Sequence, residues 1–139
     1  MFSVNMVKIL KKPDPIIGEL MINSYPALVS FDYEATHSFI SKNFVSKNKI
    51  PNRGLRRPIR ASSTEGKTTA NSVCQNMTLV IETHNFPSDL VVLELQGLDI
   101  IIGKDWMSKY DGQIDQANKR VILTTPDQKR IIYQCKIKN

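Results

Sequence analysis

The side chains able to do acid–base or nucleophilic chemistry are few and scattered. Two carboxylates, Asp32 and Glu34, flank Tyr33 directly after the apolar run Ala27 to Phe31. A carboxylate placed there can take a proton from water or share one with a second carboxylate. Taken alone, it is better read as a turn residue after a strand. Asp99 and Asp105 bracket the run Ile100 to Gly103 and read as turn and helix-cap residues. His37 reads as a structural hydrogen-bonding histidine. His84 has no cysteine or second histidine near it, so no metal site and no cofactor are expected. Cys74 and Cys135 lie outside any CxxC pair and read as reduced, buried thiols. There is no phosphate-binding loop and no Ser/His/Asp set in a recognisable context. Trp106 reads as a core anchor, and Asn76-Met77-Thr78 as a chance match to a glycosylation sequon.

The elements that must position these groups are short. Lys11 to Pro15 is a breaker cluster, which sets residues 1–15 apart as an N-terminal arm before a domain over 16–139. Ile16 to Ile22 and Ala27 to Phe31 read as strands joined by a turn at Asn23 to Pro26. Phe39, Ile40 and Phe44 sit at helical spacing within Thr36 to Lys47, which reads as a short helix or turn. Pro58 to Ser63 and Lys67 to Cys74 flank Thr64-Glu65-Gly66, a hairpin signal. Met77 to Glu82, Leu90 to Leu95 and Ile100 to Ile102 are further apolar runs, with a turn at Thr83 to Pro87. Asp105 could cap a helix through Tyr110, and Arg120 to Thr124 and Arg130 to Ile137 close the chain as strands. The last of these has one mostly polar face, as at a surface or subunit edge. Many short strands with little helix predict an all-β barrel or sandwich.

Composition narrows the classes further. A chain of 139 residues fits one domain and can bury a core without disulfides. No apolar run reaches the length of a membrane span, and no signal peptide is visible, so the expected compartment is cytoplasmic or nuclear. The net charge is +6. From Ala35 to Thr64 there are seven basic residues (Lys42, Lys47, Lys49, Arg53, Arg56, Arg57 and Arg60) and no acid. A solvated basic face is the simpler reading; nucleic-acid association through the 42–60 segment is the sharper one.

In sequence order, Phe31-Asp32-Tyr33-Glu34-Ala35-Thr36-His37-Ser38-Phe39-Ile40-Ser41 and Asp99-Ile100-Ile101-Ile102-Gly103-Lys104-Asp105-Trp106 resemble the two signature loops of the retropepsin-like aspartic protease domain of gypsy-type plant retroelements. The resemblance runs from Gly18 to about Tyr133. It implies a closed β-barrel with a flap hairpin whose tip is Thr64, Glu65 and Gly66. It also implies a catalytic Asp32 within an active-site loop that includes Tyr33, Glu34, Ala35 and Thr36, and a second loop at Ile102 and Gly103. Only one such aspartate loop is present, so an active form would be a symmetric homodimer in which each subunit supplies one Asp32. The substrate or partner would be a peptide or protein, as in the processing of a polyprotein.

Two positions depart from that pattern. The Ser/Thr that follows the aspartate and ties the two loops across the dimer is Tyr33 here. The Gly that follows is Glu34, where a side chain is expected to cost strain if the loop needs a glycine-only conformation. Glu34 also adds a charge beside the dyad; two unit charges about 6 Å apart at an effective dielectric of about 20 repel by roughly 3 kcal/mol. The expectation is a domain whose peptidase activity is absent or strongly reduced, and which acts through protein–protein interaction. The alternative is an active homodimeric endopeptidase.

Overall fold

The computed structural model describes residues 15–63 and 66–135. Six strands form a closed barrel in the order β1 (Ile16–Ile22), β2 (Tyr25–Phe31), β7 (Ile100–Ile102), β3 (Phe39–Ser41), β6 (His84–Leu93) and β5 (Gly66–Ile81), with β5 pairing back onto β1. The fourth strand, β4 (Arg53–Ser63), hangs on the outer edge of β5. A separate sheet has the order β10-β9-β8, from Arg130–Gln134, Arg120–Thr124 and Gln113–Asp115. Two short helices, α1 (Lys42–Lys47) and α2 (Lys104–Lys109), complete the described residues. None of the helices there is long and apolar enough to cross a membrane.

The barrel closes because alternation sends one side of each strand inward. In β1, Ile16, Leu20 and Ile22 are buried while Glu19 and Met21 face out. The all-isoleucine β7 lies between a parallel β2 and an antiparallel β3, and all three of its residues are buried. The β1–β2 turn is the pair Asn23-Ser24, both at positive φ, which suits a tight two-residue hairpin. Asn23 also staples the barrel seam: its Oδ1 accepts the Thr78 N–H at 2.7 Å, and its own N–H donates to the Thr78 carbonyl at 2.9 Å. Phe86 of β6 clusters with Trp106 and Tyr110, the rings tilted or edge-on to one another with centroids 4.7–5.5 Å apart. Fully burying side chains of this size contributes roughly 1.5–3 kcal/mol each. The small sheet docks through Tyr133, whose ring lies 6.0 Å from Phe31 and whose hydroxyl occupies the space that a Cβ on Gly18 would need.

The all-β barrel is as expected, with several local corrections. Tyr25 and Pro26 belong to β2, not to the turn. Phe39 and Ile40 are strand residues, because pairing with β6 and β7 buries both and overrides their helical spacing to Phe44. The turn before β6 is Glu82-Thr83 alone, and His84 to Pro87 pair with β5. The hairpin strands are longer than expected, with β4 starting at Arg53 and β5 running through a bulge to Ile81. Gly103, not Asp105, is the N-cap of α2. The last strand stops at Gln134, and the short β8 carried too little pattern to be read from sequence. The expected arm lies, apart from Pro15, outside the described residues, as do the hairpin-tip residues Thr64 and Glu65.

Candidate active site

Asp32 stands one residue beyond β2, with its backbone N–H donating to the Ile102 carbonyl at 2.9 Å. That bond sets the first loop against the end of β7. The chain then turns tightly, and the Ala35 N–H reaches the Asp32 carbonyl at 3.2 Å. Inside this turn the Glu34 N–H donates to Asp32 Oδ1 at 2.8 Å. The half-buried carboxylate is therefore oriented by the backbone of its own loop. The strain expected at Glu34 is not present: its φ is not positive, and its N–H reaches the carboxylate from a conformation open to any residue. The Glu34 side chain is exposed.

The loops are locked together one layer below. Ala35 is fully buried, and its carbonyl accepts the Lys104 N–H at 2.8 Å. Ser38, also fully buried, donates through Oγ to Asp105 Oδ1 at 2.7 Å and accepts the Gly103 N–H at 2.9 Å. The fit leaves no room for a side chain at position 103, where a Cβ would lie 2.3 Å from the His37 carbonyl oxygen and 2.7 Å from that of Ala35. Asp105 thus serves the loop junction rather than capping a helix, while Asp99 ties β2 by accepting the Leu28 N–H at 2.8 Å. Ser38 falls within the motif, but its coupling role was not legible. The available signal was a polar residue directly before the apolar pair Phe39-Ile40, with Asp105 two residues past Gly103.

Tyr33 turns away from this junction. Its side chain is 47% exposed, and its hydroxyl accepts the Ile114 N–H of β8 at 2.6 Å. Thr36 faces the hairpin instead: its N–H donates to the Ser62 carbonyl at 2.9 Å, and its Oγ1 accepts the Ser62 N–H at 3.1 Å. His37 lies beside it, with Nδ1 2.9 Å from Thr36 Oγ1, consistent with a structural role. A groove of about 500 Å³ opens between these loop residues and the two hairpin strands, lined by Thr36, His37, Arg60, Ser62, Lys67 and Thr69 among others. Structure thus brings Asp32, Glu34, Ala35, Ile102 and Gly103 into one junction, sends Tyr33 to the small sheet, and sets Thr36 against the hairpin. Gly66 begins β5 on the far side of that hairpin. Among the described residues no cluster of three or more His, Cys, Asp or Glu could hold a metal.

A closed barrel with an aspartate loop braced against a glycine loop, under a hairpin, defines a retropepsin-like aspartic-protease-type domain. The model of the retroviral aspartyl protease family matches residues 1–129, and the chain belongs to that family. Among solved structures, it is similar to the retroviral protease-like domain of Ddi1 from Leishmania major, with 17% identity, 91% of this chain and 100% of that one covered, and a TM-score of 0.60. It is also similar to the EIAV protease complexed with the inhibitor HBY-793, with 18% identity, 72% and 89% covered, and a TM-score of 0.53. At these identities the likeness is one of fold. No curated protein sequence matches the chain significantly.

Proposed function

We propose that this chain is a peptide-binding domain of aspartic-protease descent, derived from a gypsy-type plant retroelement, whose peptidase activity is absent or strongly reduced. It would work as a homodimer that holds another polypeptide in its cleft. The observation that carries this reading is the Tyr33 hydroxyl, which accepts the Ile114 N–H within its own chain. A small hydroxyl after Asp32 could reach across a two-fold axis and tie two such loops; a phenol committed to β8 does not. Glu34 does not strain the loop: it adopts an ordinary φ, and its N–H still reaches the Asp32 carboxylate. Its charge weighs less on the dyad than a buried one would, because Glu34 is exposed and water screens its field.

Asp32 keeps a place from which a second reading is chemically coherent. Two copies of Asp32 sharing one proton could activate water and polarise a peptide carbonyl, giving an active homodimeric endopeptidase that processes a polyprotein. Peptide cleavage at mildly acidic pH, by the wild type beside Asp32→Asn, separates the two. Equal traces of cleavage in both support the binding domain, and cleavage lost with Asp32→Asn establishes the enzyme. Sedimentation at working concentration tests the homodimer, and a monomer removes the endopeptidase reading altogether.

A further inference from the structure

Resting on the reading of the cleft as a peptide-binding groove, we infer that it selects acidic peptides, through Arg60 and Lys67 on the two hairpin strands. Both side chains are exposed and line the same groove as Thr36 and His37, next to the Asp32 loop. Lys67 also lines a second groove of about 560 Å³ on the other side of β5, where Lys42 joins it. The described residues give none of these three cations an ion pair. Among the described residues, the one acidic residue lining either groove is Glu94, in the second. Asp32 and Glu34 lie at the loop itself, so an acidic ligand side chain is drawn to the hairpin end of the groove and kept from the carboxylate end.

The wider surface points the same way. Between Gly54 and Ile59 the β4–β5 register breaks, so that four residues of β4 stand opposite Asn71 alone. Arg56 and Arg57 lie in that excursion, both exposed, and Arg53 precedes it. They extend the positive field beyond the groove and steer an anionic chain toward it. A polypeptide fits this arrangement better than a nucleic acid. Unpaired bases need aromatic faces to stack on. Among the described residues, the one aromatic residue lining either groove, Phe39, is buried at 1% exposure.

The test uses fluorescein-labelled short peptides that share an apolar centre and differ only in carrying Glu, Gln or Lys at the flanking positions. Binding is followed by fluorescence anisotropy with the full chain. We expect the Glu peptide to bind roughly three- to tenfold more tightly than the Gln peptide at about 0.02 M salt, and this advantage to fade at about 0.5 M. Arg60→Glu with Lys67→Glu should reverse the order, so that the Lys peptide binds best. Peptide binding with no charge preference overturns this inference and leaves the peptide-binding reading standing. Binding of none of the peptides overturns both. Displacement of the Glu peptide by a single-stranded oligonucleotide, at lower concentration than by unlabelled Glu peptide, overturns the inference in favour of nucleic acid. Should the double variant fail to fold, the salt dependence of the wild type's Glu-over-Gln preference decides the matter.

Discussion

Replacing Gly103 by Ala should be among the most damaging single-methyl changes available in this chain. The new Cβ would lie 2.3 Å from the His37 carbonyl oxygen, 2.7 Å from that of Ala35 and 2.8 Å from the His37 carbonyl carbon. All three are backbone atoms, so no side chain can rotate to relieve the overlap. Overpacking of this kind typically costs about 1–3 kcal/mol. Separating the loops also weakens the bond from the Lys104 N–H to the Ala35 carbonyl, now 2.8 Å, at about 1 kcal/mol more. A total of about 2–4 kcal/mol follows. With an unfolding entropy of about 2.1 cal/mol/K per residue, 139 residues convert each kcal/mol into roughly 3 °C, so thermal unfolding should fall by roughly 10 °C. Two other glycines calibrate the result. At Gly97, φ is +73° with open space around it, and Ala there should cost about 1 kcal/mol from left-handed backbone alone. At Gly54 the nearest atom to a new Cβ, the Asn71 carbonyl oxygen, is 4.0 Å away; Ala there should be neutral or stabilising by up to about 1 kcal/mol. If Gly103→Ala unfolds within a degree or two of the Gly54 variant, the two loops are not packed as described.

Other expectations are as direct. Ser38→Ala removes the acceptor of the buried Gly103 N–H and the donor to Asp105, and should cost about 2 kcal/mol in urea unfolding. Tyr33→Phe should barely change stability but should speed amide exchange at Ile114 by about fivefold, since its N–H loses the phenol oxygen. Burial pushes the Tyr133 hydroxyl up from 10.0 to about 12 and the Cys74 thiol up from 9.0 to about 11. Both groups are favoured as neutral species in the fold. Their contribution is complete below the unfolded values and is lost as pH rises from 9 towards 12. Alkaline denaturation should therefore set in across that range, and Tyr133→Phe should move its onset upward.

The motif residues made the barrel and the loop junction legible, because Ala35 to Ser41 and Ile100 to Trp106 carry pattern as well as composition. What escaped was set by contacts distant in sequence. The helical spacing of Phe39, Ile40 and Phe44 is real, yet β6 and β7 claim the first two. Asp105 stands where a cap could be, yet its carboxylate is engaged by Ser38, 67 residues away. At Glu34 the loop takes an ordinary backbone, not the glycine-only one that would carry strain, and nothing local in the sequence distinguishes the two. No local rule announces the Tyr33 contact, since Ile114 lies 81 residues further on, in a strand of three residues.

If the altered residues after Asp32, Tyr33 above all, disable an otherwise intact loop, restoring small residues there should restore cleavage. Asp32-dependent cleavage of a mixed peptide pool at mildly acidic pH, compared between the wild type and a Tyr33→Thr, Glu34→Gly variant, tests it most directly. The double variant should cleave at least about tenfold faster than the wild type, about 1.4 kcal/mol in the barrier, and adding Asp32→Asn should abolish that cleavage. A wild type that cleaves as fast as the double variant, and loses that activity with Asp32→Asn, would contradict it.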